Sequence, residues 1–131
     1  FFDSENDAEW GEEESILLDI EAFKKNNPSP IIAIITDGTM LPFFSYGDYV
    51  GGNKVYGDNI KKLVGSICIV EMNDEKTMVR RIALESKGKF TLTAINHDFN
   101  NMEPVINNVE LLSASEIVWI RKRKKILDIK I

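Results

Sequence analysis

Thr39 is the first residue of this chain whose type and surroundings could do chemistry. Residues 37–42 read Asp-Gly-Thr-Met-Leu-Pro, and Gly47-Asp48-Tyr49-Val50 follows shortly afterwards. A threonine hydroxyl attacks a substrate only when a neighbouring base takes its proton. The single histidine, His97, lies in a polar, turn-like stretch that favours a solvated side chain over a catalytic one. The base for Thr39 would therefore have to be another residue type.

Three stretches of the sequence resemble the LexA-like S24 peptidases. Residues 37–50 resemble the family's nucleophile segment, roughly G-x-S-M-x-P, then G-D and an apolar strand. Residues 76–82, Lys-Thr-Met-Val-Arg-Arg-Ile, resemble the V-K-R-L strand that carries the general-base lysine, and Ile95–Asn100 with Pro104 is similar to the N-x-x-F/Y-x-P segment. The stretches cover about Ile31 to Arg121 in the family's order. The resemblance implies a mostly β, LexA/signal-peptidase-like fold with short helical segments.

Both positions of the family's Ser/Lys dyad are replaced here, by Thr39 and Arg80. In such a dyad a neutral, desolvated lysine takes the proton of the hydroxyl. Arginine cannot do so, because its guanidinium stays protonated and has no acceptor. Lys76 shares the strand face of Arg80 but lies roughly 13 Å away, at about 3.3 Å per residue. We therefore expect a non-catalytic relative; the alternative is a self-cleaving peptidase that uses Thr39 with an unidentified base.

The resemblance also implies a function in association. In the family this domain dimerises repressors, and an N-terminal helix-turn-helix domain reads the operator. By resemblance we expect a phage-repressor-type homodimer that reaches operator DNA through a domain outside this chain. An exposed edge strand tends to be paired or covered, and the candidate dimer residues are Ile117, Trp119 and Ile120. Trp119 could instead be a core residue, and the domain could be a peptide-binding module that uses the retained cleft.

The chain has the size of one domain, at 131 residues. We expect residues 1–30 to form an acidic segment and a cleavage-loop-like region, and residues 31–131 the S24-like β domain. The only glycine before Ile31, Gly11, follows the bulky Trp10, so the small-residue/glycine bond that the family's repressors cut is not found there. The basic run Arg121–Lys125 is predicted to be a solvated terminus, and contact with DNA phosphates is the alternative.

Composition excludes several classes of protein. A net charge of −5 argues against nonspecific nucleic-acid binding by the whole chain. The lone Cys68 cannot form an internal disulfide, and its apolar run predicts a buried thiol in a reducing, cytoplasmic setting. No apolar stretch is long enough to span a membrane. We predict no metal and no cofactor, because zinc spacings and phosphate-binding glycine loops are missing and Ala8 occupies the glycine position of a calcium loop.

The elements that must position Thr39 and Arg80 are mostly strands. Ile16–Ile20 is a short apolar run, and Glu21–Asn26 is predicted to form one or two helical turns before a breaker segment. Met40 and Leu41 are predicted to be core anchors at the start of a short helix. Turns are predicted at Asn73–Glu75 and Ser86–Gly88. The predicted strands are Ile31–Thr36, Tyr49–Gly52, Ser66–Met72, Thr77–Leu84, Lys89–Ala94 and Glu116–Arg123.

Overall fold

The computed structural model describes residues 11–97 and 104–123, and antiparallel strands are the most common regular element among them. One α-helix, α1, spans Glu12–Asn26, and a 3-10 helix spans Gly57–Leu63. The strands are β1 (Pro30–Ile34), β2 (Tyr49–Asn53), β3 (Ile67–Met72), β4 (Thr77–Leu84), β5 (Phe90–Thr93), β6 (Val105–Val109), β7 (Leu111–Glu116) and β8 (Trp119–Arg121). The prediction of a mostly β fold is confirmed.

The strands form two sheets. The smaller has the order β1-β2-β8, and the larger has the order β6-β5-β4-β3-β7. Strands β1 to β5 confirm five of the six predicted strands to within two residues at each end. The predicted turns at Asn73–Glu75 and Ser86–Gly88 join β3 to β4 and β4 to β5. These hairpins place Arg80 in the middle of the larger sheet.

The last predicted strand, Glu116–Arg123, is wrong in its extent. Glu116 ends β7, and β8 covers only Trp119–Arg121. Strands β6 and β7 were not predicted. The centre of β7, Ser113-Ala114-Ser115, has little β-branched character, yet its residues are fully buried. Small side chains are required because β7 packs closely against β2: a Cβ on Gly52 would lie 2.3 Å from the carbonyl oxygen of Glu116.

Helix α1 is longer than the predicted one or two turns. Its buried residues Ile16 and Phe23 lie seven positions apart on one face, whereas Leu17 and Leu18 are exposed. The apolar run therefore belongs to the helix. Three glutamates in the first turn and two lysines in the last turn favour this helix, since each group complements the nearby end of the helix dipole.

Helix α1 packs on the smaller sheet through a stack of two rings and two ion pairs. Phe23 and Trp119 have ring centroids 5.2 Å apart, a contact worth about 1 kcal/mol beyond burial. Arg121 Nε donates to Asp19 at 2.9 Å, and Arg123 pairs with Glu13. The basic run is thus engaged within the fold as far as Arg123, and its last two lysines, Lys124 and Lys125, lie outside the described residues. These contacts disfavour the interpretation of the run as a contact for DNA phosphates.

The core has two parts. One packs against the larger sheet and includes Cys68, whose predicted burial is confirmed. Burial, with a contribution from the charge of Glu116, raises the pKa of the Cys68 thiol to about 12. The other lies between the sheets, where Met40 is buried as predicted. Leu41, predicted to be a core anchor, is instead exposed, because residues 39–43 form turns rather than a helix and direct it outwards.

The close approach of β2 and β7 predicts that Gly52→Ala will destabilise the protein. Its Cβ would overlap a backbone carbonyl that cannot move alone, so we expect the free energy of unfolding to fall by about 3 kcal/mol. The matched control is Gly11→Ala, whose Cβ meets nothing within 4 Å and should change stability by less than about 0.5 kcal/mol. Urea denaturation followed by circular dichroism measures both, and equal stabilities would contradict this account of the packing.

Candidate functional site

Thr39 lies in a tight turn after β1, and its polar groups are used locally. Its backbone N–H and its hydroxyl donate to Asp37 Oδ1, at 3.0 and 2.6 Å. An aspartate that accepts from the residue two positions later is a common turn contact. Thr39 is 1% exposed. The turn therefore holds the hydroxyl in a fixed, buried position.

Arg80 reaches this turn from the centre of β4. Its Nη1 donates to Thr39 Oγ1 at 3.1 Å and to the carbonyl oxygen of Val79 at 2.8 Å. The two positions that the resemblance matches to a Ser/Lys dyad, 41 residues apart in sequence, are thus in direct contact.

The third stretch that carries the resemblance also meets the turn. Asn96 donates its backbone N–H to the carbonyl oxygen of Thr39 at 2.8 Å, and its side-chain amide donates to that of Gly38 at 3.0 Å. Asn96 lies just after β5 and reaches the turn from a different sheet. All three stretches therefore converge on Thr39.

The Thr39 hydroxyl lies between a donor at the lysine position, Arg80, and the carboxylate of Asp37. Thr39 Oγ1 accepts from Arg80 and donates to Asp37. Burial lowers the pKa of Arg80, and the charge of Asp37 opposes that shift, but a guanidinium with a lowered pKa still has no lone pair to accept a proton. Asp37 Oδ1 is shared with the backbone N–H of Thr39, as a structural turn requires.

Arg80 is a buried cation without a close counter-ion. Only 3% of the residue is exposed, and no carboxylate oxygen of the described residues lies within 4.0 Å of its nitrogens. Its Nε is buried and has no hydrogen-bond partner in the same part of the chain. Burial of an unpaired charge is costly, so this site carries an unfavourable electrostatic free energy.

A cleft of about 180 Å³ opens beside this pair of residues. One wall is β1 with the turn that follows it, and the other is the first half of β4. Apart from Thr36, Asp37, Thr39, Thr77 and Arg80, its lining is apolar: Ala33, Ile34, Ile35, Met40, Met78 and Val79. The polar groups are therefore concentrated around the Thr39 turn and the Arg80 side chain.

Both walls of the cleft present backbone groups without strand partners. Ile35 bonds to Asp48 of the β2 side, so, by antiparallel alternation, Ile32 and Ile34 direct their N–H and C=O groups away from β2. By the same alternation, Thr77 and Val79 direct theirs away from β3. Strand β5 pairs with β4 only from residue 81 onwards. Two strand edges therefore border the cleft.

The other predicted site residues lie elsewhere. Lys76 is exposed and pairs with Asp74 at 3.7 Å, and His97 is exposed, as expected. Ile117 packs against the core between the sheets, Trp119 stacks on Phe23, and Ile120 is 46% exposed. The three candidate dimer residues thus have different environments.

Sequence reasoning missed Asp37, which orients Thr39. The signal available was an aspartate two residues before a threonine in a Gly-containing stretch. It also missed that Val79, the neighbour of Arg80, supplies the carbonyl that Arg80 uses. No sequence signal identifies that acceptor, since every residue has a carbonyl.

The chain matches no protein-family model, and no curated protein or solved structure is significantly similar to it. No helix among the described residues is long and apolar enough to cross a membrane.

The electrostatics of the site predict that Arg80→Met will stabilise the protein. The substitution removes a buried cation without a close counter-ion and keeps an apolar chain in its space, so we expect a gain of about 1 kcal/mol in the free energy of unfolding. The control is Arg81→Met at the adjacent, exposed position, with an expected change below about 0.5 kcal/mol. Urea denaturation distinguishes them; a marked loss of stability in Arg80→Met would mean that its two hydrogen bonds outweigh the desolvation of the charge.

Proposed function

We propose that this chain is a non-catalytic, LexA-like S24 dimerisation domain of a transcriptional regulator of the phage-repressor type. The observation that carries the proposal is the hydrogen bond from Arg80 Nη1 to Thr39 Oγ1. Where a lysine base would accept the hydroxyl proton, a permanent donor faces the hydroxyl instead, and the hydroxyl donates to Asp37, which forms the turn. In this proposal the domain acts in the cytoplasm as a homodimer, and operator DNA is bound by a domain outside this chain.

The convergence of three separate stretches on Thr39 supports the family part of the proposal. Arg80 and Asn96 both hydrogen-bond to Thr39, by side chain and by backbone respectively. A chance resemblance of short motifs gives no reason for such stretches to meet in space. The polar groups that remain there now hold a turn and a strand together.

Strand β8 supports the dimerisation part of the proposal. It is an edge of the smaller sheet, and Val118 and Ile120 are 63% and 46% exposed. An exposed apolar edge strand is a template for pairing with another chain, and pairing with a second copy of β8 would be two-fold symmetric. Ile117 and Trp119 are engaged within the chain, so Ile120, with Val118 beside it, would form the apolar contact.

A second candidate function, peptide binding in the cleft, is favoured by a separate observation. The outward backbone groups of β1 and of the first half of β4 face the same cleft, and its walls are mainly apolar. An extended peptide could add to such an edge by main-chain hydrogen bonds, with its side chains selected by the walls. This function is compatible with dimerisation through β8, because different strand edges would be used.

Dimerisation through β8 predicts that Ile120→Lys will shift the protein towards monomer. The charge would be placed at the symmetric contact in both copies, so we expect the dissociation constant to rise at least tenfold, a cost of about 1.4 kcal/mol. Leu84→Lys, on the larger sheet and similarly exposed at 49%, is the matched control and should leave association unchanged. Sedimentation velocity across a concentration series measures this, and a strictly monomeric parent protein would refute the dimer.

The arginine at the lysine position predicts that the protein will remain intact during long incubation at alkaline pH. Deprotonating conditions activate a lysine base, but they do not give Arg80 an acceptor. Mass spectrometry of the parent protein and of Thr39→Ala should show the same single intact species. A discrete fragment that forms in the parent and disappears in Thr39→Ala would favour the self-cleaving alternative instead.

A further inference from the structure

We propose that the cleft binds the free C-terminal carboxylate of an extended peptide, with Arg80 as the group that receives the charge. The inference rests on the second candidate function, peptide binding in the cleft, and adds the chemical identity of the ligand. The ligand would be the end of a peptide chain, whereas a peptidase that cuts within a chain holds an internal segment in its cleft.

The charge of Arg80 is the first step of the argument. The residue is 3% exposed, lines the cleft, and has no carboxylate within 4.0 Å among the described residues. A buried arginine is normally paired, because an unpaired buried charge carries a large desolvation cost. Asp37 influences it only from a greater distance. An anionic group in the cleft would offset the part of this cost that Asp37 leaves uncompensated.

The geometry of the guanidinium favours a carboxylate over other anions. Both hydrogen bonds of Arg80 leave from Nη1, and the buried Nε has no partner in the described part of the chain. Arginine presents its donors as a planar fork, and a carboxylate fits such a fork with two parallel hydrogen bonds. This match to a planar anion with two oxygens favours a carboxylate over a spherical anion.

Asp37 limits the ligand to one that approaches from the Arg80 side. Its Oδ1 already accepts from the N–H and the hydroxyl of Thr39, and its negative charge, which also lines the cleft, would repel a second carboxylate. The ligand carboxylate would therefore lie against β4 rather than against the Thr39 turn. Thr39 would keep its present contacts in the complex.

The two strand edges indicate that the carboxylate belongs to a peptide. Ile34 on one wall, and Thr77 with the N–H of Val79 on the other, direct backbone groups away from their paired strands, and a small carboxylic acid would leave these groups unused. The cleft has a volume of about 180 Å³. That space suits one terminal residue with an apolar side chain, while the preceding residues extend along a strand edge.

The test is a competition between chain ends. The immobilised 131-residue chain is exposed to a mixture of one random pentapeptide pool in two forms, C-terminal free acid and C-terminal amide, distinguished by an isotopic label. Mass spectrometry then measures the ratio of the retained forms. We expect the free acids to be enriched at least tenfold over the amides.

Variants assign the effect to Arg80. Arg80→Met should abolish the enrichment, Arg80→Lys should reduce it because the charge is kept and the fork is lost, and Arg81→Met should preserve it. The folding of each variant is checked by circular dichroism. Enrichment that persists in a folded Arg80→Met would overturn the assignment of the carboxylate to Arg80.

The remaining outcomes separate this inference from the function on which it rests. Equal retention of acids and amides would overturn the carboxylate inference and leave peptide binding in place. Retention of neither form above the bare matrix would overturn both. Elution of the free acids by equimolar sodium propionate would show that a small carboxylate suffices, and would overturn the assignment to a peptide.

Discussion

The close approach of the two sheets is the constraint on which the rest of this structure depends. Strand β2 can lie against β7 only because Gly52 has no side chain where the backbone of Glu116 passes, and because Ser113 and Ser115 are small. That spacing lets Met40 and Val50 pack between the sheets with Ile69. It also places the turn that follows β1 beside β4, which brings Thr39 to Arg80.

The Thr39–Arg80 contact shows how an arrangement suited to catalysis differs from one suited to binding. A base must be able to lose its proton, which a buried lysine does readily and an arginine does not. Arg80 keeps its charge in a place where charge is unfavourable, and its contacts satisfy only Nη1. Residues that are costly in the free protein are common at sites that bind ligands. The same electrostatic imbalance therefore underlies both the expected stability of Arg80→Met and the proposed affinity for a carboxylate.

The C-terminal part of the described chain forms an edge of the smaller sheet and contacts both helix α1 and the turn before β2. Strand β8 supplies the exposed edge, Trp119 and Arg121 hold helix α1 through Phe23 and Asp19, and Lys122 donates to the buried Asp48 at 3.1 Å. The first three residues of this basic run therefore form ion pairs within the chain, although their clustering in the sequence is typical of a nucleic-acid contact. Charge clustering in a sequence indicates a partner only when the fold does not supply the opposite charges itself.

The sequence by itself determined the elements that depend on short-range chemistry. Alternation of apolar residues and turn-forming stretches located β1 to β5 and both hairpins, and the chemistry of arginine was enough to exclude Arg80 as a base. Tertiary structure decided the rest. Helix α1 extends through Leu17 and Leu18 because Ile16 and Phe23 find a sheet to cover, and β7 forms from residues of low β propensity because only small side chains fit there. The contact between Arg80 and Thr39, and the two strand edges beside it, exist only when separate sheets meet; a contact across 41 residues depends on packing, which no local pattern records.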